Sequence, residues 1–260
     1  ESAKVASIFT GVEILGLLLI VWFGKSAIST VEVSTIFKID PAVGISGVIS
    51  GAFLAFYAFI GFEDMVNVAE ETKNPKKTMP LAILASLIIS TVLYILVVVI
   101  STALVSPQEL AASSAPLTTV FERSGANHQQ ILSVIGMTAA INGVIVQLIM
   151  GSRVLYGLAT QGWITDKLAV VHDKNKTPTR ATLLVLALMV IGTIALPLVS
   201  LAQLTSLLVL SIFTLVNLSL AVIKRRGDEH SGYISVPRVI PYLGVLVCSM
   251  MIIYQVYSWF

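Results

Sequence analysis

Two adjacent carboxylates, Glu63 and Asp64, lie inside an apolar stretch of this sequence and directly follow the run Phe59-Ile60-Gly61-Phe62. A charged side chain within a bilayer is costly unless it faces a polar cavity or a partner. Glycine disfavours the helix, and an interrupted helix frees backbone groups that can bind a polar solute or an ion. Hydropathy alone leaves two alternatives open: a broken helix that lines a cavity, or a continuous helix that tilts or ends early, with Glu63 and Asp64 near the cytoplasmic interface.

Three further polar side chains interrupt other apolar stretches. Glu13 lies about two turns into the first of them. Thr138 and Asn142 are four residues apart and therefore share one face of a helix. They either line a cavity or bond neighbouring helices to each other, and the second role is the commoner one for such residues.

Enzyme chemistry has little support in the sequence. The three histidines, His128, His172 and His230, all fall in predicted loops, and neither an HExxH nor a Gly-x-Ser-x-Gly motif occurs. Cys248 is the single cysteine and lies in an apolar run. We therefore predict no catalytic residues, no metal site and no cofactor. The 16 Lys and Arg residues form no basic face, which argues against a nucleic-acid partner.

The elements that must position these residues are membrane helices. The chain is 56% hydrophobic and only 12% charged, whereas soluble domains carry about 25% charged residues. Its apolar runs exceed the ~18 residues that a helix needs to cross a bilayer. Hydropathy predicts seven helices, at 5–23, 43–70, 80–105, 130–161, 179–196, 201–223 and 242–260. The predicted fold class is an all-α polytopic membrane protein, with the lipid bilayer as its solvent.

The distribution of basic residues predicts the orientation of these spans. If the N-terminus is cytoplasmic, twelve Lys and Arg residues lie in inner loops and three, Lys25, Lys38 and Arg123, lie in outer loops. An excess of this kind on the cytoplasmic side is the usual arrangement in membrane proteins. The outer stretch after Ser106 opens with a helix-start pattern, so it forms either a short surface helix or a solvated loop.

Longer motifs surround the carboxylates. The run FYAFIGFE at 56–63 is followed by VAEETKNPKKTMP at 68–80. Together they closely resemble the sixth transmembrane helix and the following loop of the amino acid–polyamine–organocation permease superfamily. Residues 1–10 and the run SRVLYG at 152–157 also resemble this family, at the entry to its fifth helix and the end of its eighth.

The resemblance implies a partial LeuT-type fold, which consists of two inverted five-helix repeats and peripheral helices. Residues 1–24 then correspond to the last helix of the first repeat, 43–223 to the second repeat with its broken helix, and 238–260 to a peripheral helix. The chain begins at Glu1 and stops at Phe260 in an apolar segment, which predicts a fragment of a longer transporter. Its partners then include the missing N-terminal helices, and we expect no transport by these residues alone.

The resemblance also implies roles for particular residues. The backbone at Phe59, Ile60 and Gly61 would accept hydrogen bonds from a substrate amine, beside an aromatic gate residue at Tyr57. The carboxylate of Glu63 would stabilise the break or take part in proton-linked gating. On the eighth helix of the family, Asn142 is a candidate substrate contact and Thr138 a candidate for coupling or gating.

Glu13 departs from the family pattern, because many proton-coupled relatives place a lysine three residues after the position of Thr10. A carboxylate cannot imitate that cation. Glu13 therefore either carries the coupling proton, pairs with a cation or with hydroxyls on helix eight, or lies at the membrane interface.

The predicted function is secondary active transport of amino acids or related amines by alternating access. A proton is the expected coupling ion rather than sodium, and exchange is the other expected mode. The alternative is a transporter-like amino-acid sensor or a non-transporting fragment. The likeness is to bacterial permeases related to cationic amino acid transporters, which places the protein in the prokaryotic plasma membrane.

Overall fold

The structure, a computed structural model, describes residues 2–29, 38–39, 41, 43–126, 129–172, 177–227 and 236–259. Most of these residues are helical, and the described part of the chain contains no strand. Two 3₁₀ segments, Phe62–Glu71 and Asp166–Leu168, interrupt the series. The α-helices are α1 (Ser2–Ile28), α2 (Gly44–Tyr57), α3 (Pro75–Leu104), α4 (Pro107–Ala112), α5 (Pro116–Arg123), α6 (Gln129–Thr160), α7 (Thr179–Ala195), α8 (Leu198–Arg226) and α9 (Val239–Tyr257).

Helices occupy all seven of the predicted spans. Six of these helical segments are long and apolar enough to cross a membrane. One of the six, Gly44–Val66, consists of α2 and the start of the first 3₁₀ segment. The seventh, α7, is apolar but only 17 residues long, so by length the described residues give six clear spans rather than seven. Large apolar side chains such as Ile194, which is 82% exposed, cover the helices. The chain is therefore an all-α, multi-pass integral membrane protein.

The first of two compact units comprises Glu1–Lys38 and Ile88–Val185. In this unit α1 packs against α5 and α6. Its core includes the fully buried Ile20 and Ile100. The backbone of α1 approaches its neighbours closely, because a side chain at Gly24 would collide with Ile100 and a Cβ at Gly16 would lie 2.7 Å from Cγ2 of Ile135. Small residues on α1 therefore set the spacing within this unit.

The segment that precedes α6 forms two short helices where the sequence allowed one surface helix or a loop. The Ser106 side chain caps α4 by accepting a hydrogen bond of 3.2 Å from the Glu109 backbone N–H. In α5, Val120 and Phe121 are buried in the core, and the ring of Phe121 meets that of Phe23 edge to face at 5.4 Å. Apolar burial thus holds these short helices in place.

The second unit comprises Ile39–Leu87 and Leu186–Phe260. Here α8 packs against α9 and α2, and α2 also contacts α9. At one end of the unit the Tyr254 hydroxyl of α9 donates a hydrogen bond of 2.7 Å to the backbone carbonyl of Ser46 in α2. The Phe53 side chain of α2 is fully buried. These contacts hold α2 against the α8–α9 pair.

Candidate functional site

Helix α2 ends at Tyr57, directly before the residues predicted to bind an amine. The last turn tightens, because Phe59 N–H donates to the Phe56 carbonyl at 3.0 Å and Ile60 N–H donates to the Tyr57 carbonyl at 3.2 Å. These bonds span three residues, as in a 3₁₀ turn, rather than four. The predicted interruption is therefore present in the structure, and the alternative of a continuous helix is wrong.

Gly61 makes the interruption possible. Its φ is +125° and its ψ −21°, a backbone conformation that residues with a Cβ rarely adopt. Apart from Gly61 and its two chain neighbours, no described residue has an atom within 4 Å of where a Cβ on Gly61 would stand. The requirement for glycine here is thus one of backbone conformation and not of space.

The Glu63 carboxylate stabilises the interrupted backbone. Its Oε2 accepts a hydrogen bond of 2.8 Å from the Gly61 N–H, which the end of α2 leaves without a helical partner. The Gly61 carbonyl accepts a bond of 3.2 Å from the Asp64 N–H, and the chain then continues as the ten-residue 3₁₀ segment. Runs of 3₁₀ helix longer than about four residues are uncommon, and a stretch within a helix often marks a functional hinge.

The remaining residues predicted at the break, Tyr57, Phe59 and Ile60, are close together in the chain and partly accessible. Tyr57, the last residue of α2, is 41% exposed, and Phe59 and Ile60 are half-buried. No described residue donates a hydrogen bond to the Ile60 carbonyl. This carbonyl can therefore accept a hydrogen bond from a solute.

The other predicted residues lie in the first unit. Helix α1 begins at Ser2, about three turns before Glu13, and its apolar span of Ser7–Ile28 begins about two turns before that residue. Asn142 of α6 is 8% exposed, and its Nδ2 donates a hydrogen bond of 2.7 Å to Oε1 of Glu13. The Thr138 hydroxyl donates to the Val134 carbonyl of its own helix at 2.8 Å. The structure thus pairs Glu13 with Asn142 and leaves Thr138 bonded to its own backbone.

Glu13 also borders a cavity of about 610 Å³ in the same unit. Most of the lining is apolar and comes from α1, α5 and α6, with Gly16, Ile20 and Ile135 among its residues. No described Lys, Arg or His forms a salt bridge with Glu13. The described partner of this carboxylate is therefore a neutral amide, and an apolar cavity lies beside it.

Phe213 of α8 was not singled out in the sequence. Its ring lies near Phe56 before the break and near Phe62 after it, with centroid distances of 6.1 and 5.5 Å. No local motif marks this residue, because the contact joins segments that are distant in the chain.

Among the described residues, no group of three or more His, Cys, Asp or Glu side chains forms a candidate metal site.

Comparisons with known proteins give a consistent result. The family model for amino acid permeases matches residues 1–260. The chain is 32% identical over 214 residues to the branched-chain amino acid permease BcaP of Bacillus subtilis, a match that covers 81% of this chain and 46% of the relative.

Two other relatives are named as transporters of different substrates, methylthioribose and cationic amino acids. A methylthioribose transporter of Bacillus subtilis is 30% identical over 79% of this chain and 45% of its own length. The human cationic amino acid transporter 4 is 34% identical over 70% of this chain and 28% of its own length. The chain thus spans less than half the length of these relatives. Because the family model covers every residue, the chain belongs to the amino acid permease family.

Proposed function

We propose that this chain forms part of a secondary active transporter that moves amino acids or related amines across the membrane by alternating access. The observation that carries the proposal is the helix interruption at Phe59–Gly61, where the Ile60 carbonyl accepts no hydrogen bond from any described residue. Broken membrane helices supply backbone groups for substrates and ions in transporters. Two of the relatives are described as amino acid permeases or transporters, which supports the substrate class.

The chemistry of the break suits an ammonium group. The Ile60 carbonyl presents an acceptor, the Gly61 carbonyl keeps a second lone pair beside the bond that it accepts from Asp64, and an ammonium carries N–H donors only. The Glu63 carboxylate lies two residues beyond and adds negative charge near the same point. We assign to Tyr57 the role of an aromatic gate over the bound substrate, which its partial exposure at the end of α2 supports.

The transporter itself is proposed to be larger than this chain. In the proposed arrangement, residues 1–24 end the first repeat, 43–223 form the second repeat and 238–260 form a peripheral helix. Further N-terminal helices would supply the other half of the site, because the relatives are more than twice as long as the matched part. The excess of basic residues in alternate loops supports a cytoplasmic N-terminus for this piece. The likeness to bacterial permeases supports a prokaryotic plasma membrane.

A proton is the proposed coupling ion, carried by Glu13. Oε1 of Glu13 accepts a hydrogen bond from the Asn142 amide. It can do so whether or not the other carboxyl oxygen is protonated, so this hydrogen bond is kept when Glu13 takes up and releases a proton. Sodium suits this pair less well, because the amide N–H directed at Glu13 cannot be a cation ligand. The Thr138 hydroxyl oxygen, four residues from Asn142, keeps its acceptor capacity and belongs to the same proposed coupling region.

The test is counterflow of radiolabelled leucine and arginine into liposomes that contain the complete transporter. We expect exchange of at least one of them, and no uptake by residues 1–260 alone. Binding of both amino acids without counterflow would favour a sensor and contradict the proposal.

Coupling is tested separately by a proton gradient. Glu13→Gln should keep exchange but lose accumulation of the labelled amino acid against its gradient. Glu122→Gln, the same change at an exposed position on the short helix α5, should accumulate normally. Normal accumulation by the Glu13→Gln protein would refute the role in coupling while leaving the transport proposal intact.

A further inference from the structure

Phe213 of α8 contacts the interrupted helix on both sides of the interruption. Its ring is perpendicular to that of Phe56, in the last turn of α2, at a centroid distance of 6.1 Å. It is tilted by 43° against the ring of Phe62, the first residue of the 3₁₀ segment, at 5.5 Å. Both distances fall in the range in which aromatic rings attract each other. A single side chain therefore packs against both halves of the broken helix.

This double contact depends on the interruption. In a continuous α-helix, residues six apart are separated by about 9 Å along the axis and by about 120° around it. Phe56 and Phe62 would then point in different directions, and one neighbouring ring would not meet both. The contacts with Phe213 thus favour the broken conformation over the continuous helix.

The backbone that carries Phe213 is itself held in place. The Phe213 carbonyl accepts a hydrogen bond of 2.8 Å from Nδ2 of Asn217, one turn further along α8. A side chain at Gly244 of α9 would collide with Asn217, so the two helices approach closely at this point. The ring therefore projects from α8 one turn before the point at which that helix packs closely against α9.

We propose that Phe213 is a positioning residue for the break: it fixes the angle between α2 and the 3₁₀ segment, and so the direction of the Ile60 carbonyl. Loss of the ring would let the two halves sample other angles. The effect of Phe213 on substrate affinity rests on the proposed function, since that effect requires the Ile60 carbonyl to bind the amine. The effect of Phe213 on the geometry of the break does not depend on the proposed function.

The geometry is tested by the distance between spin labels on either side of the break, measured by double electron–electron resonance in the complete transporter. Val48→Cys in α2 and Val66→Cys in the 3₁₀ segment are exposed label positions. We expect a broader distance distribution with Phe213→Leu, and the wild-type width with Phe213→Tyr, which keeps the ring. Phe23→Leu breaks the edge-to-face pair of the other unit and should leave the distribution unchanged.

The affinity is tested with radiolabelled leucine or arginine, whichever is exchanged in counterflow. Phe213→Leu should raise KM about fivefold or more, while turnover per transporter changes less, because two ring contacts are lost. Phe213→Tyr should restore KM, and Phe23→Leu should not change it.

An unchanged label distribution in Phe213→Leu would overturn the proposal, whatever the transport result. So would a Phe213→Tyr protein as impaired as Phe213→Leu. Absence of exchange by the wild-type protein would instead count against the proposed function, and the spin-label comparison would still decide the role of Phe213.

Discussion

Replacement of Gly61 by alanine tests the central feature of the proposed site. Gly61 has φ of +125° in the turn between α2 and the 3₁₀ segment. Since no described atom lies within 4 Å of a Cβ built at this residue, the substitution introduces no collision there. Its effect is therefore confined to the backbone conformation, which an alanine adopts at a cost of about 1–3 kcal/mol.

This cost converts into a measurable change in affinity. If the backbone relaxes to avoid the strain, the break is lost and the carbonyl at Ile60 turns away from the substrate. We expect KM for the exchanged amino acid to rise between about fivefold and a hundredfold, as the conformational cost is paid on each binding event. The assay is counterflow by the complete transporter in liposomes, normalised to the amount of reconstituted protein.

Gly157→Ala provides the matched control. Gly157 lies inside α6, also has no described atom within 4 Å of an added Cβ, and does not have a positive φ. Alanine favours a helix over glycine by about 1 kcal/mol, so this variant should bind and transport as the wild type does. A wild-type KM in Gly61→Ala, or an equal rise in Gly157→Ala, would refute the reasoning from backbone conformation.

Three further predictions concern stability, each measured as the thermal unfolding midpoint in detergent. Glu63→Ala leaves the Gly61 N–H without its acceptor and should lower the free energy of unfolding by about 1–3 kcal/mol. Glu63→Gln keeps an acceptor oxygen and should lower it less; equal decreases in the midpoint would contradict the capping role. Tyr254→Phe removes the hydrogen bond to the Ser46 carbonyl and should cost about 1 kcal/mol; an unchanged midpoint would show that the bond contributes nothing. Arg123→Ala breaks an exposed ion pair and should lower the free energy of unfolding by at most about 1 kcal/mol, with little change in the midpoint; a large decrease in the midpoint would contradict this.

The sequence predicted the helices well because hydropathy is a local property. Every predicted span coincides with a helix, although α1 and α3 begin earlier than predicted and α7 is short for a span. The interruption was predicted as one of two alternatives, since Gly61 and Glu63 lie only two residues apart in the chain. The structure decided between them through the conformation of Gly61 and its bond to Glu63.

Contacts between distant segments could not be predicted in the same way. Asn142 was a candidate for substrate contact and Glu13 for coupling, and their hydrogen bond joins residues 129 positions apart. The position of Phe213 beside the break likewise has no signal in its own neighbourhood. Such pairings depend on how the helices pack, and many sequences of similar hydropathy allow several packings.

By itself the sequence determined that this protein is built of membrane helices, because in hydrocarbon each segment must satisfy its own backbone hydrogen bonds. It also determined where one helix tends to break, because glycine and a following carboxylate act on their own backbone. Only the tertiary structure decided which side chains meet across helices. Those contacts are set by the close approach of α1 to α6 and of α8 to α9, at glycines that leave room for a neighbouring side chain.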